Sequence, residues 1–136
     1  MQPAYDLKPV TSYRAGIAIV SGEVQKELFN ARECVVVRTN DLVIIEWPVQ
    51  TGVADIYSIT VKYFYPLEKA LRAKLQLAGP GNNMMLEEPV SFTFTNPGKW
   101  NQFTINTRNM INAGHYTIKL IAENAGGLAV SGIDIQ

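Results

Sequence analysis

An all-β fold, an antiparallel β-sandwich, is what this sequence predicts, and three observations lead there. In the second half at least five short runs alternate apolar and polar residues: Tyr57/Ile59/Val61/Tyr63/Tyr65 against Ser58/Thr60/Lys62/Phe64, then Ala73/Leu75/Leu77, Val90/Phe92/Phe94, Phe103/Ile105 and Tyr116/Ile118/Leu120. A period of two sends one set to each side of a strand, giving a sheet with one dry and one wet face. Turn residues separate the runs, among them Gly79-Pro80-Gly81-Asn82-Asn83, Asn96-Pro97-Gly98 and Asn112-Ala113-Gly114, and short strands at that spacing stack as two sheets. The length of 136 residues, with 47% hydrophobic and 18% charged side chains, suits one core, which at this size buries roughly two-thirds of the unfolded surface.

Along the chain, residues 1–12 carry Pro3, Asp6, Lys8, Pro9, Thr11 and Ser12 and read as a linker, leaving residues 13–136 as the domain. Gly16 to Val20 is a short apolar strand stopped by Ser21-Gly22. In Glu23 to Arg32, Val24, Leu28 and Ala31 fall at helical spacing, yet the segment is short and reads as a loop crossing the sandwich. Strands over 34–38 and 42–47 flank the turn Thr39-Asn40-Asp41. Pro48 confines the end of the second to a sheet edge or a strand terminus, because proline has no N–H to give a neighbour. Trp47, in phase with Val43 and Ile45, belongs to the core. Pro66 to Ala70 breaks the longest strand, and Ala78 to Asn83 forms a wide loop. Between residues 128 and 135 the alternation Leu128/Val130 shifts phase to Ile133/Ile135. One unpaired residue near Ser131-Gly132, a β-bulge, accounts for that shift.

Composition then narrows the function. Twelve basic residues against twelve acidic ones leave no net charge, so no long-range field draws the chain to nucleic acid or an anionic membrane. No apolar run approaches the roughly 18 residues of a membrane span, and the opening residues lack a signal-peptide pattern. The chain is therefore expected to be either cytoplasmic or a piece of a longer one. Its single cysteine, Cys34, leads into Val35-Val36-Val37 and reads as a buried structural thiol. A nucleophilic hydrolase needs a base, and the one histidine, His115, follows a turn glycine and reads as a solvated turn residue. One His and one Cys far apart make no zinc set. Glu87 and Glu88, read as loop residues, point to opposite sides of an extended segment and cannot flank one bond. Gly79-Pro80-Gly81 lacks the lysine and helix of a phosphate loop. No catalytic residue, metal or cofactor is expected. What remains is Trp100, at a loop–strand junction beside Asn96, Lys99, Asn101 and Gln102. A sugar needs that combination, a flat apolar surface for its C–H face and polar groups for its hydroxyls. The competing reading has Trp100 capping the sandwich core.

Four segments in order carry a resemblance. They are Ala54-Asp55-Ile56-Tyr57-Ser58-Ile59-Thr60-Val61-Lys62-Tyr63, the loop Phe94-Thr95-Asn96-Pro97-Gly98-Lys99-Trp100, the strand Ala113-Gly114-His115-Tyr116-Thr117-Ile118-Lys119-Leu120, and Gly132-Ile133-Asp134-Ile135. Together they resemble the carbohydrate-binding modules of families 6 and 35, which share the galactose-binding-like jelly roll. The resemblance covers roughly residues 13 to 136.

It implies two sites, and the sequence departs from both. Such modules commonly open with Tyr-Glu-Ala-Glu, whose carboxylates join a later Asp around a structural calcium; here the segment is Tyr13-Arg14-Ala15-Gly16. Calcium needs hard oxygen ligands, so no metal is expected, and Arg14 is expected to pair with the remaining acid, Asp134, in place of the ion. In the family an early-strand aromatic and the loop tryptophan sandwich the sugar, and an Asn before the final strand bonds its hydroxyls. Trp100 matches the tryptophan, but the early strand reads Cys34-Val35-Val36-Val37 and the Asn position is Gly132. Asn82, Asn83, Asn96 and Asn124 are candidates to compensate. The function implied is a non-catalytic module that binds an oligo- or polysaccharide. Its parent would be a secreted or periplasmic glycoside hydrolase, β-galactosidase-like, with the catalytic domain of that chain as its other partner. The alternative is a structural sandwich that packs on the catalytic domain and has lost sugar binding, and an exposed apolar patch around Phe64, Tyr65 and Leu67 would favour it.

Overall fold

The structure is a computed structural model that describes residues 9–29 and 31–136. Its strands are β1 (Thr11–Arg14), β2 (Ile19–Ser21), β3 (Val24–Phe29), β4 (Arg32–Val37), β5 (Val43–Thr51), β6 (Ser58–Phe64), β7 (Leu71–Ala78), β8 (Met84–Phe92), β9 (Asn101–Asn106), β10 (Gly114–Ala122) and β11 (Ala129–Ile135). Two antiparallel sheets result. The first runs β3-β4-β11-β6-β9 with β1 also against β11, and the second runs β2-β5-β10-β7-β8. Among the described residues no helix is long and apolar enough to cross a membrane.

Alternation builds the core as the sequence predicts. Tyr57, Ile59, Val61, Tyr63 and Tyr65 all point inward from the β6 segment and are buried, meeting Leu75 and Leu77 of β7 and Ile118 and Leu120 of β10. Trp47 is fully buried, and its indole N–H donates to the Arg14 carbonyl at 3.2 Å, tying β5 to the end of β1. The phase change in β11 is a bulge: Val130 pairs with Tyr63 and Gly132 with Lys62, leaving Ser131 as the extra residue.

Five readings are corrected. Glu23 to Arg32 is not a loop but a hairpin, with Val24 opposite Val37 and Phe29 opposite Arg32. The helical spacing of Val24, Leu28 and Ala31 marks no common buried face, since Val24 packs against the core while Leu28 stands 79% exposed on an edge strand and Ala31 is exposed too. Residues 15–17 form a 3-10 turn, so β2 starts at Ile19. The strand expected over 42–47 is Val43–Thr51, and Pro48 falls at a sheet edge as expected, because β2 covers only Ile44 to Glu46 and beyond it the missing N–H disturbs no neighbour. Glu87 and Glu88 lie within β8 rather than a loop, while Phe94 lies past its end and is exposed. Thr11 and Ser12 pair with Ile135 and Asp134, so the sheet begins two residues before Tyr13. The remaining linker reading, over residues 1–8, lies outside the described residues.

Candidate functional site

Trp100 closes the β8–β9 loop one residue before Asn101, which pairs with Tyr63. Alternation then turns the indole to the face of Phe64 and Gln102, the outer face of the first sheet. That face holds a small dry patch of its own. Cys34, Val36, Phe64 and Ala129 are buried there, with Phe29 and Trp100 packed over them. Phe29 lies 5.0 Å from Phe64 and meets Trp100 edge-on at 6.5 Å, while the Arg32 guanidinium sits 4.9 Å from the indole centroid. Trp100 is thus half-buried, neither a cap on the main core nor a fully exposed ring. Beneath it, burial pushes the Cys34 thiol up to about 11, against the opposing pull of Arg32 and of its hydrogen bond to the Phe29 carbonyl.

Arg32 also lines a cleft of about 330 Å³ next to this platform, a volume at the lower end of small-molecule sites, which span about 300–1,000 Å³. The strand register creates it. β4 pairs with β11 only at Val35 and Val36, β1 takes over where Arg14 meets Gly132, and the bulge at Ser131 falls in the seam. Ser131, Gly132 and Ile133 form the floor. Only a residue without a Cβ fits at 132: a Cβ would lie 2.5 Å from the Tyr13 carbonyl oxygen, at a φ of 153°.

The polar walls are paired, though not as the sequence suggested. Arg14 does not reach Asp134. Its Nε lies 3.6 Å from Glu33, while Asp134 accepts from Ser12 at 2.7 Å on one oxygen and pairs with Lys62 at 2.8 Å on the other. The register is the reason, since Ser12 is opposite Asp134 and Arg14 is two residues farther along, opposite Gly132.

The four asparagines do not converge on Trp100. Asn96 shares its loop, where Lys99 N–H donates to the Asn96 carbonyl at 3.1 Å. Asn124 is at the same end of the sandwich in the β10–β11 turn, its N–H on the Asn40 carbonyl at 2.9 Å. Asn82 and Asn83 follow β7, whose first residue pairs with Phe92 beside the Trp100 loop and whose last pairs with Thr117 at the far end. An eight-residue strand separates the two ends by about 25 Å. Asn82 instead borders a groove with His115 and Pro48 on the second sheet. None of the four lines the cleft. Phe29 and Arg32, which do form the platform, belong to a hairpin that reads as a loop in the sequence, and Phe29 packs with Trp100 over Cys34 and Val36. The remaining chemistry-bearing residues are apart: His115 is exposed, Glu87 accepts from Gln76 at 2.7 Å, and Glu88 pairs with Arg108 at 2.6 Å.

The cation site that the resemblance implies meets a donor set that does not fit. Arg14 and Gly16 replace the two carboxylates, and a Cβ on Gly16 would run into the Glu33 carboxylate, which accepts the Gly16 N–H at 2.9 Å. The carbonyls of Gly16 and Ala18 are engaged by the Lys26 ammonium at 3.0 and 2.7 Å. A divalent ion there would face an ammonium and a guanidinium.

No protein-family model matches the sequence, and no curated protein matches it significantly. Solved structures do. A family 35 carbohydrate-binding module from Clostridium thermocellum superposes with a TM-score of 0.79 at 20% identity, over 94% of this chain and 98% of its own. The fold is that of these modules. The C-terminal family 6 module of a marine laminarinase from Zobellia galactanivorans matches at 0.68 and 19% identity, over 94% and 99%. The β-(1,4)-mannanase of Podospora anserina, a family 26 glycoside hydrolase with a family 35 module, matches at 0.66 and 16% identity over 93% of this chain but 27% of its own length. The jelly-roll sandwich expected from the four segments is therefore the architecture found.

Proposed function

We propose that this chain is a non-catalytic carbohydrate-binding domain that takes a saccharide on the outer face of its first sheet, stacking it on Trp100 and holding its hydroxyls in the adjoining cleft. The observation that carries this reading is the half-buried indole set beside a polar cleft, both bordered by Arg32. The partner is an oligo- or polysaccharide, and the setting is as an accessory to a glycoside hydrolase, secreted or periplasmic. The resemblance points to a β-galactosidase-like parent. Of the three residues that would mark a packing surface, Phe64 and Tyr65 are buried and Leu67 is exposed, so they form no continuous exposed patch, which weighs against the purely structural alternative.

The two tryptophans make the test direct: Trp47 is buried and reports the fold, while Trp100 reports the ligand. Titration of plant and host oligosaccharides should change Trp100 emission for at least one of them. Trp100→Ala should abolish the change and weaken binding by at most about fivefold, because the roughly 1 kcal/mol of ring contact is partly offset by the Arg32 stack that the saccharide replaces. If no saccharide alters wild-type emission or binds by calorimetry at millimolar concentration, the reading fails.

A further inference from the structure

We propose that Lys26 is the resident cation of the 15–18 turn, its ammonium gathering backbone carbonyls that would otherwise call for a metal ion, so that the stability of this domain does not depend on calcium. The inference is independent of saccharide binding.

The turn has a specific need. Ala15–Ile17 is a single 3-10 turn with no side-chain cap, and the one backbone bond that closes it is Ala18 N–H to the Ala15 carbonyl at 3.0 Å. Ala15 and Ala18 are nonetheless buried, which presses the turn against the sandwich. Two carbonyl oxygens, those of Gly16 and Ala18, then converge on one point. Both accept from the one Lys26 ammonium, at 3.0 and 2.7 Å, and a charged donor makes the stronger bond to each. Lys26 reaches them from β3, where pairing with Val35 fixes its place opposite the turn. From the other side Glu33 accepts the Gly16 N–H, and Trp47 holds the Arg14 carbonyl just ahead. The chain's own charges therefore occupy the turn's polar groups. Calcium takes six to eight oxygens, and an ion entering here would have to expel the ammonium to gain two carbonyls and one carboxylate.

Melting of the wild-type protein, followed by circular dichroism, should give the same midpoint in calcium chloride and in EDTA, within about 1 °C. Lys26→Met, which keeps the stem and removes the charge, should lower the midpoint by about 3–6 °C. Hydrogen exchange at Ala18 should quicken selectively, with the β7–β10 amides unchanged. If Lys26→Met does not fold, Lys26→Gln serves for the same comparison, retaining two amide N–H donors without the charge. The proposal is overturned if calcium raises or EDTA lowers the wild-type midpoint. It is equally overturned if the neutral variant melts and exchanges as the wild type does.

Discussion

Cys34 offers a way to read the Trp100 platform without any ligand. The thiol is fully buried under the outer-face patch, with Phe29 and Trp100 packed over that patch, and burial holds its pKa at about 11. At pH 8 the thiolate fraction is then about one in a thousand, against roughly a quarter for a free cysteine with a pKa near 8.5. The wild-type protein should therefore carry about 200-fold less thiolate than a cysteine peptide; the higher intrinsic nucleophilicity of that thiolate returns about tenfold, so labelling should be slower by about 20-fold before access is counted. Its rate should also still climb about tenfold per pH unit up to pH 10, where the peptide has levelled off. Trp100→Ala opens the patch to water. Desolvation is the leading cause of the shift, so each unit of pKa regained raises the thiolate fraction about tenfold and speeds labelling. An Arg32→Ala variant acts the other way on charge, because Arg32 lowers the pKa. The assay is the absorbance change on reaction with a disulfide reagent, with unfolded protein as the fully reactive control. Labelling of Trp100→Ala at the wild-type rate would refute the reasoning, since the indole would then not be a lid.

Two further substitutions probe the scaffold. Gly132→Ala should cost about 2–4 kcal/mol in urea unfolding, because it combines left-handed strain with a collision against the Tyr13 backbone; a cost near zero would mean that β1 is not docked as described. Tyr65→Phe should be neutral or stabilise by about 1 kcal/mol, because the Tyr65 hydroxyl is buried without a hydrogen-bond partner and burial raises its pKa; a clear loss of stability would reveal a bound water there.

The parts of the fold that were legible in the sequence are those with a strict period. Tyr57 to Tyr65 and Tyr116 to Leu120 lie in strands paired on both sides, where one face must be apolar, and the phase slip at Ser131 could be located because Leu128, Val130, Ile133 and Ile135 all have to reach the same core. β3 was illegible for the opposite reason. As an edge strand it buries little, so Gln25, Lys26, Glu27 and exposed Leu28 show no alternation. The candidate face around Trp100 is obscured by the same gap. Trp100 was recognisable by its loop, but its neighbours Phe29 and Arg32 come from that edge hairpin, and Phe64 sits on the face that alternation marks as wet. The asparagines misled because turn residues recur at both ends of a sandwich, and only the strand register tells which end each belongs to.

Arg32 bounds the strength with which such a site can bind. A guanidinium over an indole at a half-exposed position is worth about 0.5–1 kcal/mol, and ring contact with a sugar is on the order of 1 kcal/mol. A saccharide that displaces Arg32 from Trp100 therefore gains almost nothing from that face alone. The gain has to come from the cleft, where the displaced guanidinium can donate to hydroxyls beside Lys62 and Asp134. Bonds to charged groups contribute about 1.5–3 kcal/mol each, and two of them correspond to dissociation constants near the millimolar range. Affinity of that order is too weak for an isolated protein to hold a glycan, but it is comparable to the effective concentration, also near millimolar, that a short covalent tether provides. The energetics of the Arg32–Trp100 stack thus favour the proposed reading in which the domain binds while tethered to a larger protein.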